Sequence, residues 1–218
     1  TWTKTYDGLG YSILQLENGG YVFTGEVYGI DSHGNGAAIA SFTKTDENGD
    51  SLLTKSYSIG YGSNGFSIES VNDSIFYIGG KVAVNEAGET DKVFLMKTDS
   101  NGNQLWNYNY FQEVGYISTV KVKKLDDGIL VMGSRGNAFL LKTNFDGEIV
   151  WSNEFSDFPS GSINDALVKD DGNILAFGSI QSTTNIGNGA LDGWMIEVNG
   201  SNGSIIESYT LGGSLNDE

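Results

Sequence analysis

The side chains able to do chemistry in this 218-residue chain are few, and their types restrict what they can do. There is one histidine, His33, one arginine, Arg135, and no cysteine. Thiolate nucleophiles, Cys-ligated zinc and disulfides are excluded together, and the redox compartment leaves no mark on the sequence. Ser32 and Asp31 adjoin His33, but a nucleophile, its base and the orienting acid are brought together from separate parts of a fold, so this adjacency reads as an exposed loop. Carboxylates remain: 28 Asp and Glu stand against 12 Lys and Arg, a net charge of −16. Splitting a glycosidic bond needs two of them about 5–10 Å apart. Asp31, Glu113, Asp165 and Asp192 lie on connections of variable length, and no pairing among them is visible. Asp126-Asp127 and Asp170-Asp171 sit in turns, where neighbouring side chains diverge.

Asp46-x-Asn48-x-Asp50 and Asp99-x-Asn101-x-Asn103 alternate oxygen-bearing side chains, as calcium loops do. Their Gly falls at the fourth place instead of the sixth, and no Glu closes the loop at the twelfth. The reading is therefore a turn whose Asp caps backbone amides while Gly takes a left-handed conformation, with calcium the one ion the spacing admits. No other cofactor is indicated. The Gly-rich stretches Gly34-Asn35-Gly36 and Gly187–Gly193 run into strands, whereas a dinucleotide cradle opens a helix. An acidic surface with a pI near 4.2 repels nucleic acid and anionic bilayers. No apolar run approaches the roughly 20 residues that cross a membrane, so no membrane insertion is expected.

The elements that must hold these residues recur four times. Asp46, Asp99, Asn144 and Asn199 each open a Gly-containing turn that reaches a large apolar residue seven positions later: Leu53, Trp106, Trp151 and Ile206. The openings are 45 to 55 residues apart, the period of propeller blades. A Gly closes an apolar run at Gly25, Gly79, Gly133 and Gly178, four residues after Tyr21, Ile75, Ile129 and Ile174. An aromatic follows the large apolar column at Tyr57, Tyr110 and Phe155, with Tyr209 in a slipped fourth copy. Trp2–Tyr6 repeats the Leu53–Tyr57 segment ahead of the first copy. Each repeat reads as four short strands rich in β-branched and aromatic residues, bounded by Gly, Asn and Asp. Four-stranded meanders repeated at this period make an all-β propeller of about four blades. A two-sheet sandwich or an open stack is the alternative.

At Lys97-Thr98-Asp99-Ser100-Asn101-Gly102-Asn103-Gln104-Leu105-Trp106 the chain resembles the blade repeats of secreted bacterial and archaeal β-propeller proteins. It is also similar to the Asp-box hairpin of sialidases and to the blade motif of quinoprotein dehydrogenases. The first resemblance implies an extracellular or cell-surface protein. Sialidase chemistry clamps a carboxylate with three guanidinium groups, and Arg135 stands alone. A quinoprotein site takes about twice as many blades and a metal-ligand cluster. The blades are expected at about 7–57, 58–110, 111–155 and 156–210, with 1–6 an extra outer strand and 211–218 a linker into another blade, and the native protein is expected to hold more blades. Trp2, Leu53, Trp106, Trp151 and Ile206 are expected buried between sheets.

Function is expected where connections vary in length: Tyr28–Gly36, Ala83–Asp91, Ser134–Asn137 and Gln181–Asp192. With one His, one Arg and no Cys, the reading is a non-catalytic recognition or scaffold module taking a protein or carbohydrate partner on that face. A carboxylate-dependent glycan hydrolase or lyase is the alternative. The candidate binding residues are Tyr61, Glu89, Asp91, Phe111, Arg135, Phe158 and Asp192. Arg135 is expected in a notch above the third blade, facing Glu86, Glu89, Asp91 or Asp192.

Overall fold

The computed structural model describes residues 2–87, 91–183 and 186–212, with backbone alone at 112–114, 182–183 and 186–190. The described residues form sixteen strands and no helix. They make four antiparallel sheets, each a meander of four strands in chain order. The first sheet holds β1 (Leu9–Gln15), β2 (Tyr21–Ile30), β3 (Gly36–Thr45) and β4 (Ser51–Tyr57). The second holds β5 (Ser63–Asn72), β6 (Ile75–Ala83), β7 (Asp91–Asp99) and β8 (Gln104–Gly115). The third holds β9 (Thr119–Lys124), β10 (Ile129–Arg135), β11 (Asn137–Thr143) and β12 (Ile149–Glu154). The fourth holds β13 (Gly161–Val168), β14 (Ile174–Thr183), β15 (Ile186–Val198) and β16 (Ile205–Leu211). The chain divides into two compact units, Thr1–Tyr116 and Ile117–Glu218, of two sheets each.

Within each unit the alternation of side chains across a strand sorts the core. In the first unit Val22, Ala40 and Phe42 of one sheet meet Phe76, Ile78, Phe94 and Met96 of the next. In the second, Leu130, Met132, Leu140 and Trp151 meet Ile174, Ala176, Trp194 and Ile196. Burying one such Phe or Leu stabilises by roughly 1.5–3 kcal/mol. Equivalent faces pack in the same sense in both units, one sheet presenting its second face to the first face of its successor, as successive propeller blades do.

A polar latch repeats at the rim. Lys44 Nζ donates to Ser100 O at 3.3 Å, and Tyr57 Oη to Gly102 O at 2.9 Å. In the second unit Lys142 Nζ and Trp151 Nε1 both donate to Gly200 O at 3.1 Å, and Asn153 Nδ2 donates to Gly203 O at 3.0 Å. Thus the third and fourth strands of one sheet fasten the turn of the next. That turn needs glycine twice over: Gly102 and Gly203 have φ of 68° and 72°, and a Cβ on Gly203 would sit 2.5 Å from the Trp151 ring.

The ladders correct the repeat by small slips. Tyr21, Phe76, Ile129 and Ile174 occupy one register position, each opposite the residue that precedes the turn-opening Asp or Asn. The glycine four residues on is therefore Gly80 in the second copy and not Gly79, because β6 starts one residue earlier, with Ile75 opposite the turn-opening Asp99. In each sheet the fourth strand bulges beside its turn. Lys44 pairs with Leu53, Lys97 with Trp106, Lys142 with Trp151, and Glu197 with Glu207. The fourth member of the apolar column is thus Glu207, with Ile206 on the bulge and Leu211 at the place of Tyr57 and Tyr110. The expectation of a uniformly buried column is also corrected: Trp151 is 7% exposed, whereas Trp2 and Ile206 are 45% and 49% exposed. Trp2 lies on a segment outside the sheets, and Ile206 on the outermost strand of its sheet.

Candidate functional site

The ends of β2–β3, β6–β7, β10–β11 and β14–β15 differ as the sequence indicates, but two are strand and not loop. β10 and β11 join through Gly136 alone, with Arg135 opposite Asn137. Gln181 pairs with Leu191 and Thr183 with Ile186, so the longest expected loop is a strand extension.

In the second unit this unequal edge borders an open, shallow cavity of about 330 Å³. Ser134 and Gly136 of the short hairpin, Ser160 and Ser162 at the start of β13, Ser179 and Gln181 of β14, and Ser118 and Leu191 line it. The polar lining is neutral. Ser162 Oγ lies 3.2 Å from Ser179 Oγ and donates to Asn164 Oδ1 at 3.1 Å, while Ser134 O accepts from Ser118 N. Each hydroxyl offers one donor and two acceptor positions. Together with the Gln amide they form a surface able to exchange hydrogen bonds with a hydroxyl-rich ligand and with no fixed charge to discriminate among ions.

The sequence-derived candidates are dispersed by the fold. Tyr61 stacks on His33 with ring centroids 3.6 Å apart and 5° between planes, at the outer end of the first unit. His33 Nδ1 lies 3.2 Å from Ser32 Oγ, but the Asp31 carboxylate accepts the backbone amides of His33 and Asn35 and not the imidazole, so no triad forms. Burial opposes ionisation of Asp31, and those amides outweigh it, holding the carboxyl below its ordinary range. Asp91 is buried and ion-paired with Lys81 at 3.0 Å. Phe111 lies within β8 and not on a loop, with φ of 65°, the one non-Gly residue in the left-handed region among the described residues. Phe158 packs on Trp194 with centroids 5.1 Å apart.

Arg135 pairs with Glu154, which is not among the four acids expected. Its hairpin end stands beside β12, where Glu154 is opposite Phe139 on the same sheet. Asp192 is 1% exposed, and neither carboxylate oxygen has a hydrogen-bond partner. Asp165 is exposed, 3.5 Å from Lys123. Glu89 lies outside the described residues, as does the Glu113 side chain. The proposed carboxylate set thus supplies no pair on the cavity among the described residues.

The turns behave as caps. Asp46 Oδ1 accepts from Asn48 N and Asp50 N at 2.9 and 2.8 Å. Asp99 Oδ1 accepts from Asn101 N and Asn103 N, both at 2.8 Å. The Asn103 amide, then the backbone amides, overcome burial and hold Asp99 below the ordinary carboxylate range. Asn144 does the same work uncharged. No group of three His, Asp or Glu side chains converges as a metal site among the described residues. No described helix is long and apolar enough to cross a membrane.

No protein family and no curated protein matches the sequence. Solved structures do match in fold. A protein of unknown function from Dyadobacter fermentans aligns over 92% of this chain and 63% of its own, with 10% identity and a TM-score of 0.60. The chain therefore spans under two thirds of that protein's length. A subtype N10 neuraminidase-like protein of A/little yellow-shouldered bat/Guatemala/060/2010 aligns over 93% of this chain and 67% of its own, with 15% identity and a TM-score of 0.55. The fold is thus all-β, with four four-stranded antiparallel blades of the propeller type. One expectation is corrected here. Residue counting favours a chain that is not an enzyme, with a glycan hydrolase or lyase as the alternative, yet the fold matches include a glycosyl hydrolase from Bacteroides ovatus, at 8% identity over 94% of this chain and 71% of its own, with a TM-score of 0.45. The reading of no enzyme is withdrawn.

Proposed function

We propose that this chain recognises a neutral carbohydrate at the serine-lined cavity of its second unit, in an extracellular setting. The observation that carries the reading is the convergence of Ser134, Ser160, Ser162 and Ser179 with Gln181 on one cavity of about 330 Å³. That volume lies at the lower end of the ~300–1,000 Å³ range of small-molecule sites. A sugar presents hydroxyls that both donate and accept, and serine hydroxyls match them without the desolvation cost of a charge. A second cavity in the unit suits this less well, since Lys142 there is held by Asp127 at 2.9 Å and by Gly200 O. The extracellular setting rests on the repeat resemblance; recovery of the natural protein from the cytosol alone would contradict it.

The test is a glycan array followed by calorimetric titration of the best neutral oligosaccharide, with its turnover monitored in the same samples. The double variant Ser162→Ala/Ser179→Ala is expected to weaken binding by about five- to a hundredfold, since lost hydrogen bonds contribute about 0.5–1.5 kcal/mol each, with unchanged thermal unfolding. Undiminished affinity in a folded double variant would dismiss the cavity.

A further inference from the structure

The first sheet carries an apolar face that nothing in the described structure covers completely. Ile13 of this sheet is exposed, and with Tyr21 and Phe23 on the same face it borders a cavity of about 440 Å³. Trp2–Tyr6 lies across one side of it without joining any sheet. Its contacts reproduce those of a fourth strand on the following blade. Tyr6 Oη donates to Gly49 O at 2.6 Å, as Tyr57 Oη donates to Gly102 O at 2.9 Å. A Cβ on Gly49 would sit 2.6 Å from the Trp2 ring, as one on Gly203 would sit 2.5 Å from Trp151. Trp2 packs edge-on against Tyr21, and Tyr6 against Phe23. The outermost place of a further blade is therefore filled, while its three inner places are open.

We infer that this face seats the three inner strands of another blade of the same repeat, carried by the native polypeptide outside Thr1–Glu218, with Trp2–Tyr6 as that blade's outermost strand. The latch states what the third of those strands must bring. Lys44 reaches Ser100 O, and Lys142 reaches Gly200 O, each the residue after the Asp or Asn that opens the turn. The equivalent acceptor on the first sheet is Glu47 O, so the incoming strand ends in Lys-Thr with its ammonium over that carbonyl. A second copy of this chain does not meet the requirement. Its fourth sheet has Glu197 and Glu207 at the places of Lys142 and Trp151, and its β16 would occupy the room that Trp2–Tyr6 already fills.

The test joins intact-mass and sequence measurement of the protein from its natural source with thiol labelling. The chain has no cysteine, so Ile13→Cys, or Gln15→Cys should the first fail to fold, gives a single reactive site on the face. The natural protein is expected to exceed 23.4 kDa by at least one ~40–50-residue repeat, to contain an additional strand ending in Lys-Thr, and to label at least tenfold more slowly than the 218-residue chain. A natural product of 23.4 kDa, extra sequence without that strand, or equal labelling rates would overturn the inference. So would protection of the thiol in an oligomer of the 218-residue chain, which would make a second copy the occupant.

Discussion

At the scale of single residues, backbone proximity decides more than side-chain chemistry. A Cβ on Gly178 would stand 1.8 Å from Ser162 O, and one on Gly25 1.8 Å from Leu9 O, because the first strand crosses directly beneath that position. Gly178→Ala is expected to destabilise by about 1–3 kcal/mol, read by chemical denaturation. Gly10→Ala, with no atom within 4 Å of the added carbon, should stay within ~0.5 kcal/mol of the parent. Three members of this glycine column are legible as spacing alone. The fourth is misread because Gly79-Gly80 offers two candidates, and the pairing of Phe76 with Thr98 that selects Gly80 has no sequence signature. Charge at the turns gives a pH prediction. Folding lowers the Asp99 pKa, so its stabilising contribution is present above the unfolded value near 3.9 and is lost as pH falls through the lower folded value. Asn144 caps without charge, so Asp99→Asn should keep the turn and flatten the acid limb of a stability-against-pH curve. An unaltered acid limb would count against the assignment.

At the scale of elements, the latch between successive sheets is the feature to break. Burial, then the nearby Asp99, raises the Tyr57 hydroxyl well above its ordinary pKa, so it stays a donor to Gly102 O through neutral and moderately alkaline pH. Tyr57→Phe removes that bond and is expected to cost about 0.5–1.5 kcal/mol, with no loss of β-structure by circular dichroism. A melting curve superimposable on the parent would show that the latch contributes nothing. The strands themselves are readable from alternation and turn residues, and the turn caps at Asp46 and Asp99 from their spacing. The partner of Arg135 is not: residues near one another around variable connections suggest Glu86, Glu89, Asp91 or Asp192, whereas the hairpin geometry brings Glu154 from the adjacent strand of the same sheet.

At the scale of the whole chain, the repeat makes the architecture legible and hides the site. Four copies of one meander announce a propeller-type fold because each copy repeats the same constraint on hydrophobic alternation and turn conformation. The serines lining the second-unit cavity come from separate strands and connections at unrelated spacings, and serine is common in every turn, so no pattern distinguishes them before the chain is folded. Reading reactive and aromatic side chains on loops favours Tyr61 and Arg135 instead, and the fold engages these with His33 and Glu154. The most direct measurement is an amide-resolved NMR titration with the tightest neutral oligosaccharide from the array. Shifts clustered at Ser134, Ser162, Ser179 and Gln181 are predicted. Shifts confined to Tyr28, His33 and Tyr61 in the first unit, or none anywhere at saturating ligand, would contradict the proposed site.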